Sequence, residues 1–555
     1  MGLGLEIACL DCGASFAFHP ATAACPRCGN TWHSARYDYR RAAERLRQEL
    51  PKRPFNLWRY RELLPISSQA SVIPRGEGGT PLLPAPKLGQ MAGLRHVYIK
   101  DETHGSTGSI KDRQAAVAVA ALREHGVREL VIASTGNVAI AYSAYCARAG
   151  IRLWAFLTSL VPADKMNEVA LYGTHVVKVT GTYDQAKRLA AEFAQAHGLL
   201  IERGPRSISA VESMKTLAFE IAEQLAIAAG GDDAATASWR APDWYVQAVS
   251  GGIGPLGVLK GFDELRQMGW LDRRPKVAMI QASGCAPMVE AWRRRSRTAE
   301  PVTAPATHIS TLSTGDPGRA YTLLYDRMLE DGGLLESVSD QDAFRALRIV
   351  AKMEGLSVEP AAGVAFAGFL RLALSGAFQP DDVVVINASG HTLPVEREMA
   401  GQALLQDVVL AEASSDSPRE GVLAALERLD VRQTREILIV DDDGDSRRLL
   451  RQILRTQGDF VVRDVETGAE ALAEALRNPP DLILLDLMMP EMDGFAVLGQ
   501  LKEHEATAPI PVIVVTAKGL TATEKRKLEG RIAHLVLKGD LEEQDLPGEI
   551  RRTLG

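Results

Sequence analysis

The sequence predicts an α/β protein built on parallel sheets, with a small cysteine ribbon ahead of them. Three observations predict it. From about Arg95 to residue 390, short apolar runs alternate with helical segments, the signature of a parallel sheet covered on both faces. Near the start, Cys9, Cys12, Cys25 and Cys28 form a C-x2-C-x12-C-x2-C array. At Glu436 a fresh strand–helix cycle begins and runs to Gly555. At 555 residues the chain is too long for one core, and three or four domains are expected. The boundaries read as 1–40 for the ribbon, 41–405 for the main α/β domain, 406–435 for a linker and 436–555 for a second α/β domain.

The composition is that of ordinary globular material, 46% hydrophobic and 24% charged, with net charge -7. That balance argues against nucleic acid or a membrane surface as partner. No apolar run reaches membrane-spanning length. The start, "MGLGLEIACLDC", lacks a basic segment and a long apolar core, so a cytoplasmic location is expected.

In a reducing cytosol the cysteine array favours a tetrahedral zinc ribbon over disulfides. The two-residue gaps let both thiolates of a knuckle reach one ion. Gly13 and Gly29, just after each pair, let the backbone fold close around sulfur. Four thiolates leave no open position, so such a zinc is structural. Cys146 and Cys285 stand apart and read as small buried residues.

A charged helical stretch follows, "RRAAERLRQEL", then Pro51 and Pro54. "HVYIK" is the first clear strand. "GSTGSIKDR", Gly105 to Arg113, then leads into an Ala-rich helix that ends at Gly126. Lys111 falls in the first turn of that helix, the wrong end of the dipole for a cation. Either it is a solvated surface charge or its amine has a task. Further strand–helix units follow: "RELVIAS" with "NVAIAYSAYCARAG", then "IRLWAFLT" and "HVVKVTG" with their helices. "STGN" (Ser134 to Asn137), "SGGIG" (Ser250 to Gly254) and "ASGH" (Ala388 to His391) all sit at carboxyl ends of strands, where open α/β sheets bind ligands. A glycine-rich loop at a helix start offers backbone N–H groups to a phosphate. The Ser-, Asp- and Glu-rich stretch "AEASSDSPREG" reads as the linker.

Residues 5–405 resemble fold-type II pyridoxal-phosphate enzymes, threonine synthase in particular. The resemblance rests on "CPRCG", "YDYRR", "LWRYRELLP", "GEGGTPLL", "VYIKDE", "TGSIKDR", "ASTGN", "AYCARAGI", "KTLAFEIAEQL", "KGFDEL", "EPAAGVAFAGF" and "SGHTLP", all collinear. It implies two doubly wound α/β subdomains and pyridoxal phosphate as cofactor. It implies a Schiff base on Lys111 and a hydrogen bond from Asn137 to the ring hydroxyl. Ser250, Gly251, Gly252, Ile253 and Gly254 would cradle the phosphate, and Ser389 would face the pyridine nitrogen. A hydroxyl there leaves that nitrogen largely unprotonated, which suits elimination and replacement at the β- or γ-carbon. The released lysine is the natural base.

The substrate side departs from the family. Gly105 and Ser106 replace an Asn-Pro pair, and Val138 replaces a hydroxyl donor. The family's Asn-Pro-x-Arg grip on the phosphate of O-phosphohomoserine becomes "SISA", with Ser207 near the Asn position and Ala210 near the Arg position. Loss of that arginine removes a contact of about 1.5–3 kcal/mol. Arg203 and Arg206 lie nearby. The reactions implied are therefore threonine-synthase-like, or dehydration of serine or threonine, or β-replacement, on an amino-acid or phospho-amino-acid substrate. A homodimer is expected. The rival reading is a signalling protein whose cofactor domain is a degenerate sensor or docking module.

Residues 436–555 resemble a response-regulator receiver domain, which implies a flavodoxin-like sheet. Asp441 and Asp442 in "LIVDDD" and Asp486 in "LILLDLMMPEMDG" put three carboxylates at one sheet edge, an oxygen-rich site suited to Mg2+. Asp486 would accept a phosphoryl group from a cognate histidine kinase or phosphotransfer protein, with Lys538 offsetting charge and Thr516 acting as switch. Leu535 stands where receivers carry an aromatic switch residue, and Gly539 where proline is usual. With no DNA-binding helix-turn-helix after the receiver, the output expected within the chain is the pyridoxal-phosphate domain.

Overall fold

The computed structural model describes residues 2–158, 161–230, 238–391, 435–455, 460–517, 520–538 and 546–554. The expected linker up to residue 434 lies outside them, as do Gly539 and the end of the "SGHTLP" motif. The chain divides into two compact units, Met1–Gly401 and Gln402–Gly555.

The first unit begins with a three-stranded antiparallel sheet, β1 (Glu6–Cys9), β2 (Ser15–Phe16) and β3 (His33–Arg36), in the order β2-β1-β3. Each cysteine pair ends in a glycine in the left-handed region, Gly13 at φ +69 and Gly29 at φ +74. A side chain there would be strained, so these two positions need glycine. The ribbon is not a loose appendage. Ile7, Ala35 and Tyr37 join the same apolar core as the long helices Ile208–Ala228 and Ile253–Gln267.

Two parallel sheets follow. The larger is built from β4 (Leu82–Pro84), β5 (His96–Asp101), β10 (Trp244–Ala248), β11 (Lys276–Ala282), β12 (Leu334–Val338) and β13 (Val383–Ala388), ordered β12-β11-β10-β13-β5-β4. Only β4 runs antiparallel to its neighbour. The smaller contains β6 (Glu129–Ser134), β7 (Arg152–Thr158), β8 (His175–Val179) and β9 (Leu200–Ile201), ordered β8-β7-β6-β9 and wholly parallel. Their strands read as apolar runs rather than alternations because helices cover both faces: Val131, Ile132, Val384, Val385 and Ile386 are fully buried.

Chain order reverses between β10 and β13, so their carboxyl ends open a crevice. β5 pairs with the other side of β13, which brings three loop-bearing strands side by side. The Ala-rich helix predicted after "GSTGS" spans Lys111–Glu124, buried from Asp112 to Leu122.

The second unit is a five-stranded parallel sheet of β14 (Arg435–Val440), β15 (Phe460–Val465), β16 (Leu482–Leu485), β17 (Val512–Thr516) and β18 (His534–Leu537), ordered β15-β14-β16-β17-β18. This is the flavodoxin-like order.

Candidate active site and receiver acid pocket

Lys111 opens its helix beside the end of β13. Ile110 N–H donates to Ser389 O at 2.9 Å, His391 N–H donates to Gly108 O at 2.8 Å, and Ser109 bridges Gly390. The lysine loop is thus zipped to the segment carrying Ser389. The departure at 105–106 has a local reason. Asp112 accepts from Thr107 N–H at 2.8 Å and from Ser106 Oγ at 3.2 Å, and a Cβ on Gly105 would lie 2.3 Å from Asp112 Oδ2. The loop wraps the carboxylate too closely for a side chain. Burial lowers the Lys111 ammonium below the ordinary lysine value, while the carboxylates of Glu359 and Glu202 oppose the drop. More of the amine is therefore neutral and nucleophilic than in water.

Asn137 arrives from the other sheet, as the first residue of the helix Asn137–Ala149 after β6. Its Nδ2 donates to Glu359 Oε2 at 2.6 Å, and Ser389 Oγ donates to Glu359 Oε1 at 3.0 Å. Lys165 Nζ donates to Asn137 Oδ1 at 3.2 Å. Glu359, only 3% exposed, therefore joins the two residues that the sequence places around a ring. Sequence reasoning missed both Glu359 and Lys165.

The loop Ser250–Gly254 lies after β10 and starts the helix Ile253–Gln267. Gly252 has φ +92, and a Cβ there would lie 3.2 Å from both Ala320 and Leu324. A Cβ on Gly254 would come 2.4 Å from Gln247 Nε2. Ser250 Oγ meets Thr314 Oγ1 at 2.6 Å. No side chain caps this helix start, so its N–H groups are available to an anion. Lysine, amide, hydroxyl and glycine cradle thus meet where a phosphorylated pyridine aldehyde could be held, and the residues present fit that cofactor.

Behind Lys111 the quoted motifs meet in a buried ion network. Arg113 donates to Glu102 at 2.7 and 2.8 Å and to Glu220 at 2.6 and 2.7 Å. Lys100 Nζ donates to Glu220 Oε2 and to Thr80 O, both at 2.7 Å. Arg113, Lys100, Glu102 and Glu220 are at most 2% exposed. Every charge has a partner, as burial at this depth requires.

Of the two substrate-side arginines, Arg203 is only partly committed, because its Nη1 is buried without a hydrogen-bond partner among the described residues. Arg203 Nη2 donates to Thr22 O of the ribbon at 2.8 Å, Arg206 is exposed, and Ala210 is fully buried.

In the ribbon, Cys9 and Cys28 Sγ atoms are 3.5 Å apart and those of Cys12 and Cys25 3.7 Å. All four lie within 4.8 Å of one another. A tetrahedral zinc with Zn–S near 2.3 Å requires S···S of about 3.8 Å, so the donor set fits that ion. Cys146 and Cys285 are buried away from this set.

In the second unit, oxygens of Asp441, Asp442 and Asp486 lie within 4.8 Å of one another. Lys538 Nζ bridges Asp441 Oδ2 at 2.7 Å and Asp486 Oδ2 at 2.5 Å. Burial raises the Asp441 carboxyl against the pull of Lys538. Burial also works against the Lys538 ammonium, but its bonds to the two aspartates keep it above the ordinary value. Thr516 ends β17, fully buried, and Leu535 packs half-buried on the core. A Cβ on Gly494 would lie 2.2 Å from Asp486 O, so that glycine lets the loop close around the end of β16.

The chain is similar to known proteins over both units. The pyridoxal-phosphate dependent enzyme family matches residues 73–390, and the response regulator receiver domain matches residues 437–550. Threonine synthase of Methanocaldococcus jannaschii is 32% identical over 387 residues, covering 69% of this chain and 92% of the relative. Threonine synthase of Methanosarcina acetivorans is 30% identical, covering 75% and 98%. That of Synechocystis is 29% identical, covering 56% and 76%. Among the described residues no helix is long and apolar enough to cross a membrane. With the family matched over more than half its length, the chain belongs to the pyridoxal-phosphate-dependent enzymes, as a threonine-synthase-like lyase fused to a response-regulator receiver domain.

Proposed function

We propose that the first unit catalyses elimination or replacement on the side chain of an amino acid other than O-phosphohomoserine. We further propose that phosphorylation of Asp486 in the receiver tunes that activity. The observation that carries the first reading is the convergence of Lys111, Asn137, Ser389 and the 250–254 loop at one crevice. When bound, pyridoxal phosphate supplies an electron sink for the substrate α-carbon. Lys111 anchors it covalently and afterwards moves the α-proton, helped by its lowered ammonium pKa. Ser389 and Asn137, held by Glu359, orient the ring. The loop N–H groups and the dipole of the helix Ile253–Gln267 hold the phosphate.

The substrate proposal rests on the residue near the family's arginine position: Ala210 is buried and carries no charge. Zinc in the Cys9, Cys12, Cys25 and Cys28 set would brace the ribbon, and Mg2+ at Asp441, Asp442 and Asp486 would assist phosphoryl transfer from a histidine kinase or small phosphodonor.

Borohydride reduction tests the enzyme reading. The purified protein should be yellow, and reduction should fix the cofactor to the peptide containing Lys111. Lys111→Ala should lose the covalent link. A colourless protein that takes up no added cofactor overturns the reading.

A further inference from the structure

The carboxylate of Glu359 fixes the direction of two hydrogen bonds in the crevice. Its own place is set first. The Glu359 N–H donates to Gly390 O at 2.9 Å, which ties the residue to the segment just after Ser389. The carboxylate packs against the same segment: a Cβ on Gly390 would lie 2.8 Å from Glu359 Oε1. Buried between these contacts, it has little room to turn away.

Direction matters because each partner has few protons to give. Lys165 Nζ donates to Asn137 Oδ1 at 3.2 Å, so the amide is turned with Nδ2 toward Glu359 Oε2, at 2.6 Å. Ser389 Oγ stands 3.0 Å from Glu359 Oε1. A carboxylate only accepts, and a serine hydroxyl carries one proton. That proton points at Glu359. Toward a ligand on its other side, Ser389 therefore presents a lone pair.

Ser389 is the residue expected to face the ring nitrogen of pyridoxal phosphate. A hydroxyl that is free to donate leaves that nitrogen unprotonated, the expectation from sequence alone. A hydroxyl already donating to a carboxylate accepts instead, so the nitrogen that meets it has to bring the proton. The Glu359 charge, one hydroxyl away, favours the positive ring that results. A protonated ring nitrogen draws charge from the substrate α-carbon more strongly than a neutral one.

We propose that Glu359 is a positioning residue that, acting through Ser389, holds the ring nitrogen of the cofactor protonated. This deepens, and rests on, the reading of the first unit as a pyridoxal-phosphate enzyme working through Lys111.

The test is nitrogen NMR of the full-length holoprotein, loaded with pyridoxal phosphate labelled with nitrogen-15 in the ring. Free cofactor in acid and in alkali supplies the references for the protonated and the neutral ring. The native signal should lie at the protonated reference. In Glu359→Gln the new amide oxygen takes the Asn137 Nδ2, which the Lys165 bond keeps in place, and the new amide nitrogen turns to Ser389 Oγ. Ser389 then donates to the ring, and the signal should move to the neutral reference. Ser389→Ala removes the acceptor and should move it the same way. A native signal at the neutral reference overturns the proposal, and that measurement needs no variant. An unmoved signal in Glu359→Gln also overturns it, because a merely structural Glu359 changes cofactor affinity and leaves the ring as it was. If that variant takes up no cofactor, Ser389→Ala decides in its place. Failure of the enzyme reading looks different: no cofactor band and no borohydride link to Lys111 in the native protein.

Discussion

Glu359 is the residue on which the two halves of the crevice depend. It holds Ser389 from β13 with one oxygen and Asn137 from the smaller sheet with the other. Removing its carboxylate leaves two polar side chains without their shared acceptor, at a cost of about 1–3 kcal/mol each where they are desolvated. Glu359→Ala should therefore weaken cofactor binding about ten- to a hundredfold while the lysine link still forms. Titration of the apoprotein with pyridoxal phosphate checks this, and an unchanged affinity would show that Glu359 merely caps its helix. Lys111 was legible in the sequence because a cation at a helix start is electrostatically misplaced. Glu359 was not. A glutamate just before Pro360 at the start of the helix Pro360–Leu374 is ordinary helix chemistry, and only packing turns it toward residues 222 and 30 positions away in the chain.

At the scale of elements, the family motifs turn out to be halves of ion networks. "GEGGTPLL", "VYIKDE", "KDR" and "KTLAFEIAEQL" contribute Thr80, Lys100, Glu102, Arg113 and Glu220 to one buried cluster. "YDYRR", "KTLAFEIAEQL" and "KGFDEL" meet in another: Tyr37 donates to Glu212 at 2.9 Å, and Lys215 pairs with Glu212 at 2.5 Å and Glu264 at 2.9 Å. The second network fastens the chain that leaves the ribbon to the long helices. The ribbon itself has only short strands, too little area to hold its shape unaided. Beyond its packing on the core, zinc held by the four cysteines would cross-link it. Metal analysis should find one zinc per chain bound to Cys9, Cys12, Cys25 and Cys28. Removing it with a chelator, or replacing Cys12 with Ser, should loosen the ribbon and lower the melting temperature of the first unit. Metal-free protein with the same melting temperature would contradict this. Arg203 also depends on the ribbon, because its anchor is the Thr22 carbonyl.

At the scale of the whole molecule, the question is whether one unit answers to the other. Lys538 bridges Asp441 and Asp486, so the Asp486 carboxylate is held beside a cation. Phosphorylation adds about one to two negative charges and new acceptor oxygens there. Effects of this kind bias two-state elements by about 1–3 kcal/mol. A small phosphodonor with Mg2+ should label Asp486, and Asp486→Asn should abolish the label. Labelling should change turnover or the cofactor spectrum by about five- to a hundredfold in the affected constant. Leu535 replaces the aromatic switch and already packs on the core, so Thr516→Ala should blunt the response more than Leu535→Ala. Identical kinetics, ligand affinity and oligomeric state with and without the label would mean that the receiver acts on a partner outside this chain.

The sequence by itself determined the sheet classes, the glycine turns, the cysteine array and the strand-end segments that the fold brings to one crevice. Each of these is written in local chemistry: apolar runs for buried parallel strands, left-handed backbone for Gly13, Gly29 and Gly252, and a lysine where a helix dipole opposes it. Tertiary structure alone decided which distant residues share a charge. Only folding showed that Arg203 bonds the Thr22 carbonyl of the ribbon, and that Glu359 joins Asn137 to Ser389. The physical reason is that hydrogen bonds and ion pairs between remote segments carry no periodicity. A buried carboxylate and a solvated one look the same in sequence, and only the packing that removes water gives each of them its role.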